Sequence, residues 1–240
     1  PHVERERRAL DELPEESRHD VGAHPAQTSA REVDVGDEQR LGARFGLELD
    51  PSRYREAREK AVEGIRRHPE LEHDEEIWVA FTERIIRGMG GNSDSAYGCA
   101  VEMTKAWEHA EHFELFEDAL PVLGELRSQG LKLGLVSNTG RNLDEFVAHH
   151  RLDVDAALGS GAFGRTKPHP TIFKAVLERL GTAPAEAAMV GDSPEDDVEG
   201  ARAAGIRRAF LLDREDRYPE LDDRLPDLFA LPAALGLRPS

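Results

Sequence analysis

A chain of 240 residues is long enough for one large domain, or for a core with a smaller insert. Its net charge of -17 repels nucleic acid and anionic membranes, so neither is expected as a partner. The lone cysteine, Cys99, rules out an internal disulfide. No apolar run reaches membrane-spanning length and no signal-peptide pattern opens the chain, so the expected compartment is the cytoplasm.

Residues 1–19 carry charged helix formers and no apolar run that could be a buried strand. Gly22-Ala23-His24-Pro25 is turn-like. Residues 36–112 are predicted helical throughout. Asp37 is the expected cap of a helix ending near Gly46, and Asp50-Pro51-Ser52 restarts a helix. Ile77, Trp78, Phe81, Ile85 and Ile86 recur at helical spacing, as do Ala100, Met103, Thr104 and Trp107. Such stripes are read as core packing rather than as a cofactor box.

Beyond residue 112 the pattern alternates. Helices are predicted over Ala119–Ser128, Leu143–His149, Pro170–Leu180 and Val198–Ala204. Strands are predicted over Leu131–Val136, Ala156–Gly159 and Ala187–Val190, with Arg208–Leu212 as the last. Such alternation implies a parallel sheet covered by helices on both faces, with the active site at the carboxyl ends of the strands.

Three polar segments lie at or beside those ends. Gly191-Asp192-Ser193-Pro194-Glu195-Asp196-Asp197 packs acids that repel one another unless a cation sits among them. Mg²⁺ suits carboxylate oxygens and water, while helix capping by Asp192 or Ser193 accounts for the segment equally well. Gly191 is expected to let the backbone approach a ligand. Ser137-Asn138-Thr139-Gly140 offers a hydroxyl and backbone N–H groups to phosphoryl oxygens, or forms an ordinary turn. Lys167, one of five lysines, precedes Pro168 and is held extended, which suits a fixed ammonium facing a phosphoryl group. His169 is read as structural.

In this order and spacing, from about Phe113 to Leu212, the three segments resemble the motifs of the haloacid dehalogenase-like (HAD) hydrolase superfamily. The stretch Phe113–Leu123 is similar to the family's first helix after the cap. The resemblance implies an α/β, Rossmann-like parallel-sheet core, formed by residues 20–35 and 113–240, and a C1-type α-helical cap at 36–112. It implies that Ser137 and Asn138 bind phosphate, that Lys167 stabilises an aspartyl-phosphate, and that Asp192 and Asp197 serve a Mg²⁺ site. The implied activity is a Mg²⁺-dependent phosphatase on a small phosphorylated metabolite, as monomer or homodimer.

The family begins with a hydrophobic strand ending in Asp-x-Asp-x-Thr, whose first Asp is the nucleophile and second the general acid. Here Asp20 is the nearest match to the nucleophile and metal-binding acid, Gly22 stands where the general acid belongs, and His24 replaces the threonine. Asp34 is a second match, closer to the cap. This degenerate motif also opens an alternative: a catalytically impaired HAD-fold protein that binds a phosphorylated ligand or partner without turnover.

Overall fold

The computed structural model describes residues 30–32, 35–63 and 70–237, with side chains from 39 to 61 and from 70 to 237. Asp20, Gly22, His24 and Asp34 lie outside the described residues, as does the segment 1–19.

A short strand β1 (Ala30–Glu32) pairs antiparallel with β2 (Phe113–Leu115), and these two frame a run of helices. That run comprises α1 (Val35–Arg44), α2 (Tyr54–Glu63), α3 (Glu75–Gly88) and α4 (Ser95–Ala106). The chain restarts at Asp50, whose carboxylate accepts the N–H of Ser52 across Pro51. Asp37 lies inside α1 rather than before it, because the helix begins two residues earlier than its best capping residue. Phe81, Ile85 and Ile86 of α3 pack against Ala96, Cys99, Ala100 and Met103 of α4, in a core built only from residues 41–103. Phe113–Leu115 is a strand and not the start of a helix; its Phe-Glu-Leu alternation has the period of two that a strand requires.

The remaining elements alternate as predicted. They are α5 (Ala119–Ser128), β3 (Gly134–Ser137), α6 (Leu143–His150), β4 (Ala156–Gly159), α7 (Ser160–Phe163), α8 (Pro170–Leu180), β5 (Ala188–Gly191), α9 (Gly200–Ala203), β6 (Arg208–Leu212), β7 (Arg224–Leu225) and α10 (Leu231–Ala234). β3 pairs parallel with β4, and β5, β6 and β7 form a second parallel ladder. Among the described residues no strand joins β3 to β5. Strand β3 starts later than its apolar run, because the Asp155 carboxylate takes the Leu133 N–H at 2.8 Å. β6 is not the last strand: two residues at 224–225 add to its edge, too few to show any pattern. Ile172, Phe173 and Leu177 of α8 pack with Leu158, Ala209 and Leu211 of the strands. Among the described residues no helix is long and apolar enough to cross a membrane.

Two buried aspartates tie the C-terminal segment to this core. Asp118, at the start of α5, takes two bonds from Arg214, at 2.7 and 3.0 Å, and the Leu228 N–H at 2.8 Å. Burial opposes its charge, yet these donors prevail and hold the carboxyl below its usual range. Asp213 accepts the N–H groups of Arg217 and Tyr218 and the Arg224 guanidinium, with the same net effect.

The helical run is also laced to the sheet. Thr166 donates its N–H to Leu71 O at 2.8 Å, and His73 donates its N–H to Gly164 O at 3.1 Å. Glu72 and Arg165 form an antiparallel bridge, and the Arg165 guanidinium reaches Glu70 O. His73 Nδ1 shares a 2.8 Å hydrogen bond with Ser160 Oγ, while its Nε2 is buried without a partner. Burial pushes the His73 pKa down against the charges of Glu75 and Asp74. Burial, then the neighbouring His149, does the same at His150.

Two outcomes follow. Asp118→Ala leaves Arg214 and the Leu228 N–H without their buried acceptor, and urea denaturation should show a loss of about 3 kcal/mol. The lowered histidines mean that the unfolded chain takes up protons first as pH drops below about 6.5. The histidines' contribution to stability should therefore be full above that pH and fall beneath it, and the double variant H73Q/H150Q should remove that contribution between pH 7.5 and 5.5 in the same denaturation assay.

Candidate active site

The sequence-predicted residues Ser137, Asn138, Lys167, Asp192 and Asp197 are held at or next to strand ends. Ser137 closes β3 and is 7% exposed; Asp192 follows β5 and is 5% exposed. Lys167 lies in the loop before α8, and its ammonium meets Asp197 Oδ1 at 2.5 Å. Both partners are buried. The second Asp197 oxygen accepts the Ser193 N–H at 3.1 Å, so both of its oxygens are engaged. Asp197 is thus the counter-ion of Lys167.

The local fold explains why Asp197 reaches that place. Ser193 caps the turn after β5 by accepting the Asp196 N–H at 3.1 Å, and Pro194 starts it. The turn is π-type over Pro194–Glu199 before α9, wider than the plain helix expected to start at Val198. It brings Asp197 back over Gly191, where any Cβ would overlap the carboxylate. Gly191 therefore makes room for Asp197, not for a ligand as the sequence suggested. Gly200 does likewise for Pro168, so the acidic turn packs directly against the lysine loop.

Asn138 has a part that sequence reasoning missed. Its Oδ1 accepts the Lys167 N–H at 2.6 Å and its Nδ2 donates to Lys167 O at 3.0 Å. One amide therefore holds the lysine backbone as a neighbouring strand would. The same Nδ2 lies 3.3 Å from Asp196 Oδ2. The next residue is fixed too: Thr139 donates its N–H to Ser160 Oγ at 2.9 Å, the hydroxyl that His73 also contacts. A buried Ser directly after a strand was a signal for this support; nothing in the sequence pointed to His73.

Electrostatics decide what such a site can hold. Burial alone would push Lys167 down, but the charge and hydrogen bond of Asp197, with Asp196 and Asp192 behind, hold its pKa above the ordinary lysine value. Asp192 is pushed up to about 6, first by burial and then by the Asp197 charge, against the pull of Lys167. Its Oδ2 is buried without a hydrogen-bond partner. Three buried carboxylates thus face one buried ammonium, and one carboxylate oxygen is left over.

A hard divalent cation fits that orphaned oxygen. Among the described residues no three His, Cys, Asp or Glu side chains form a metal cage. Mg²⁺ does not need one, since it keeps several waters and binds through one or two carboxylates.

Comparison with known proteins agrees with this geometry. A family model described as haloacid dehalogenase-like hydrolase matches residues 3–205. The chain is 38% identical over 155 residues to a phosphoserine phosphatase of Thermus thermophilus, covering 62% of this chain and 60% of that one. It is 30% identical over 194 residues to a glyceraldehyde 3-phosphate phosphatase of Methanopyrus kandleri, covering 76% and 77%. The first of these relatives is thus spanned over less than two thirds of its length. The crystal structure of a HAD phosphatase from Thermococcus onnurineus superposes with a TM-score of 0.55 at 26% identity, over 83% of this chain and 86% of that one. With its parallel strands, its Lys167–Asp197 pair and this match over most of its length, the chain belongs to the haloacid dehalogenase-like hydrolase family.

Proposed function

We propose that the chain is a Mg²⁺-dependent phosphatase of small phosphorylated metabolites, with residues 36–112 acting as the cap over its site. The observation that carries this reading is the buried, unpartnered Asp192 Oδ2 beside the Lys167–Asp197 pair. The names of relatives from Thermus and Methanopyrus support the reaction class.

In this reading a carboxylate attacks phosphorus and the bond to the leaving oxygen breaks. Water then cleaves the acyl-phosphate and regenerates the acid. Asp20 is the residue assigned to the attack. Lys167 offers its ammonium to the phosphoryl oxygens, and Asp197 keeps that ammonium charged and in place. Ser137, at the end of β3, orients the phosphoryl group. Asn138 contributes by fixing the Lys167 backbone. Mg²⁺, held by Asp192, would supply positive charge to the phosphoryl oxygens.

A second reading has its own motive: Gly22 stands where the family's general acid belongs, and a missing acid–base group costs about 10²–10⁴-fold. Under it the chain binds phosphorylated ligands and does not turn them over. Release of phosphate from an aryl phosphate with Mg²⁺ separates the two. The phosphatase reading expects Mg²⁺-dependent turnover that Asp20→Asn abolishes. It expects Asp192→Asn to need at least about tenfold more Mg²⁺. Binding seen by calorimetry, with no turnover in the pure chain, would overturn it in favour of the second.

A further outcome belongs to Asn138 alone. Asn138→Ala frees the Lys167 backbone without touching the ammonium or its counter-ion. Steady-state kinetics should show kcat lowered by about ten- to a hundredfold, because displacement of a positioned group by about 1 Å has that order of effect.

A further inference from the structure

A cavity of about 280 Å³ lies between α3, α4 and the loop 138–141. That is at the small end of ligand pockets. Well-packed contacts between elements leave few voids larger than one water, so a space this size is not a packing flaw. Its floor is Asn138, Thr139 and Gly140, the loop whose first residue holds Lys167. A phosphoryl group at that floor would direct its leaving group up between the helices.

The walls there are aromatic and braced from behind. Trp78, Tyr97 and Trp107 all line the cavity, and Trp78 and Trp107 are the chain's two tryptophans. Trp78 stands edge-on to Phe81 at 6.2 Å. The Trp107 carbonyl takes Nε and Nη2 of Arg141 at 2.9 and 2.7 Å, and that guanidinium stacks 3.6 Å from the centre of Phe113. The charges at the walls are three carboxylates, Glu75, Glu76 and Glu108, against Lys105 and Arg141. Arg141 is engaged as described, and Lys105 reaches out to Glu102 at 3.1 Å. A leaving group with its own negative charge meets a net acidic wall.

We infer that this cavity selects phosphomonoesters whose leaving group is flat and apolar, aromatic above all, and carries no second anionic group. The inference rests on the phosphatase reading for the position of the phosphoryl group and adds the substrate class to it. Aromatic faces give offset or edge contacts to a flat ring, and the glutamates discriminate by repulsion rather than by attraction.

The test is a binding titration of the full chain with three phosphonates in the presence of Mg²⁺, read by tryptophan emission and by calorimetry. Benzylphosphonate is expected to bind at least about tenfold more tightly than methylphosphonate and to perturb the emission. Phosphonoacetate is expected to bind more weakly than methylphosphonate, and E76Q/E108Q should narrow that gap. Trp78→Leu should weaken benzylphosphonate by about tenfold and leave methylphosphonate nearly unchanged. Equal affinities for the three, or tightest binding of phosphonoacetate, overturns the inference. Failure of all three to bind overturns both it and the phosphatase reading. Selective binding of benzylphosphonate without hydrolysis of benzyl phosphate sinks only the phosphatase reading, whereas hydrolysis without selectivity sinks only the substrate class.

Discussion

The buried contact between Lys167 and Asp197, 2.5 Å long, is the constraint around which the strand ends are arranged. Taking two such charges out of water costs several kcal/mol for each ion, and only close geometry with further hydrogen bonds offsets it. The chain supplies these in an ordered way. Ser193 donates its N–H to the second Asp197 oxygen, Gly191 clears the space for the carboxylate, and Asn138 clamps the lysine backbone from the neighbouring strand end. Each of these residues has a structural reason to be what it is before any ligand is considered.

The same contact sets the charge state of its surroundings. Asp197 is engaged by Lys167 and by the Ser193 N–H, while Asp192 keeps an oxygen that nothing in the described residues satisfies. Asp196 lies beside Asn138 and adds to the negative field. In the proposed function this imbalance is what a small hard cation would offset, and its charge would favour phosphate despite a chain carrying -17 overall.

Much of the core was legible in the sequence because its signals are local. Pro170 and Gly181 bracket a helix whose bounds follow from them, and Gly181 indeed adopts a left-handed φ of +60°. Ala156–Gly159 reads as a short apolar run between polar turns, and it is a strand. The partner of Asp197 was not legible. The family resemblance placed it with Asp192 at a Mg²⁺ site and said nothing of the lysine, onto which the wide turn after Pro194 rotates it. Trp78 packs against the helical core, as its spacing with Phe81 and Ile85 led one to expect, but that it also borders the cavity was not legible. Side-chain destinations of this kind depend on what a distant segment places opposite, which no periodicity records.

The lacing of residues 70–73 to 164–166 ends one residue short of Lys167. Any swing that lifts the helices away from the sheet, and so widens the route into the cavity, has to break the bonds of Leu71 and His73 to that loop. Residues 71–73 are therefore the outer brace of the lysine loop. The helical run and the ammonium are thus secured through one short stretch of backbone, 164–167, gripped from one side by residues 71–73 and from the other by Asn138.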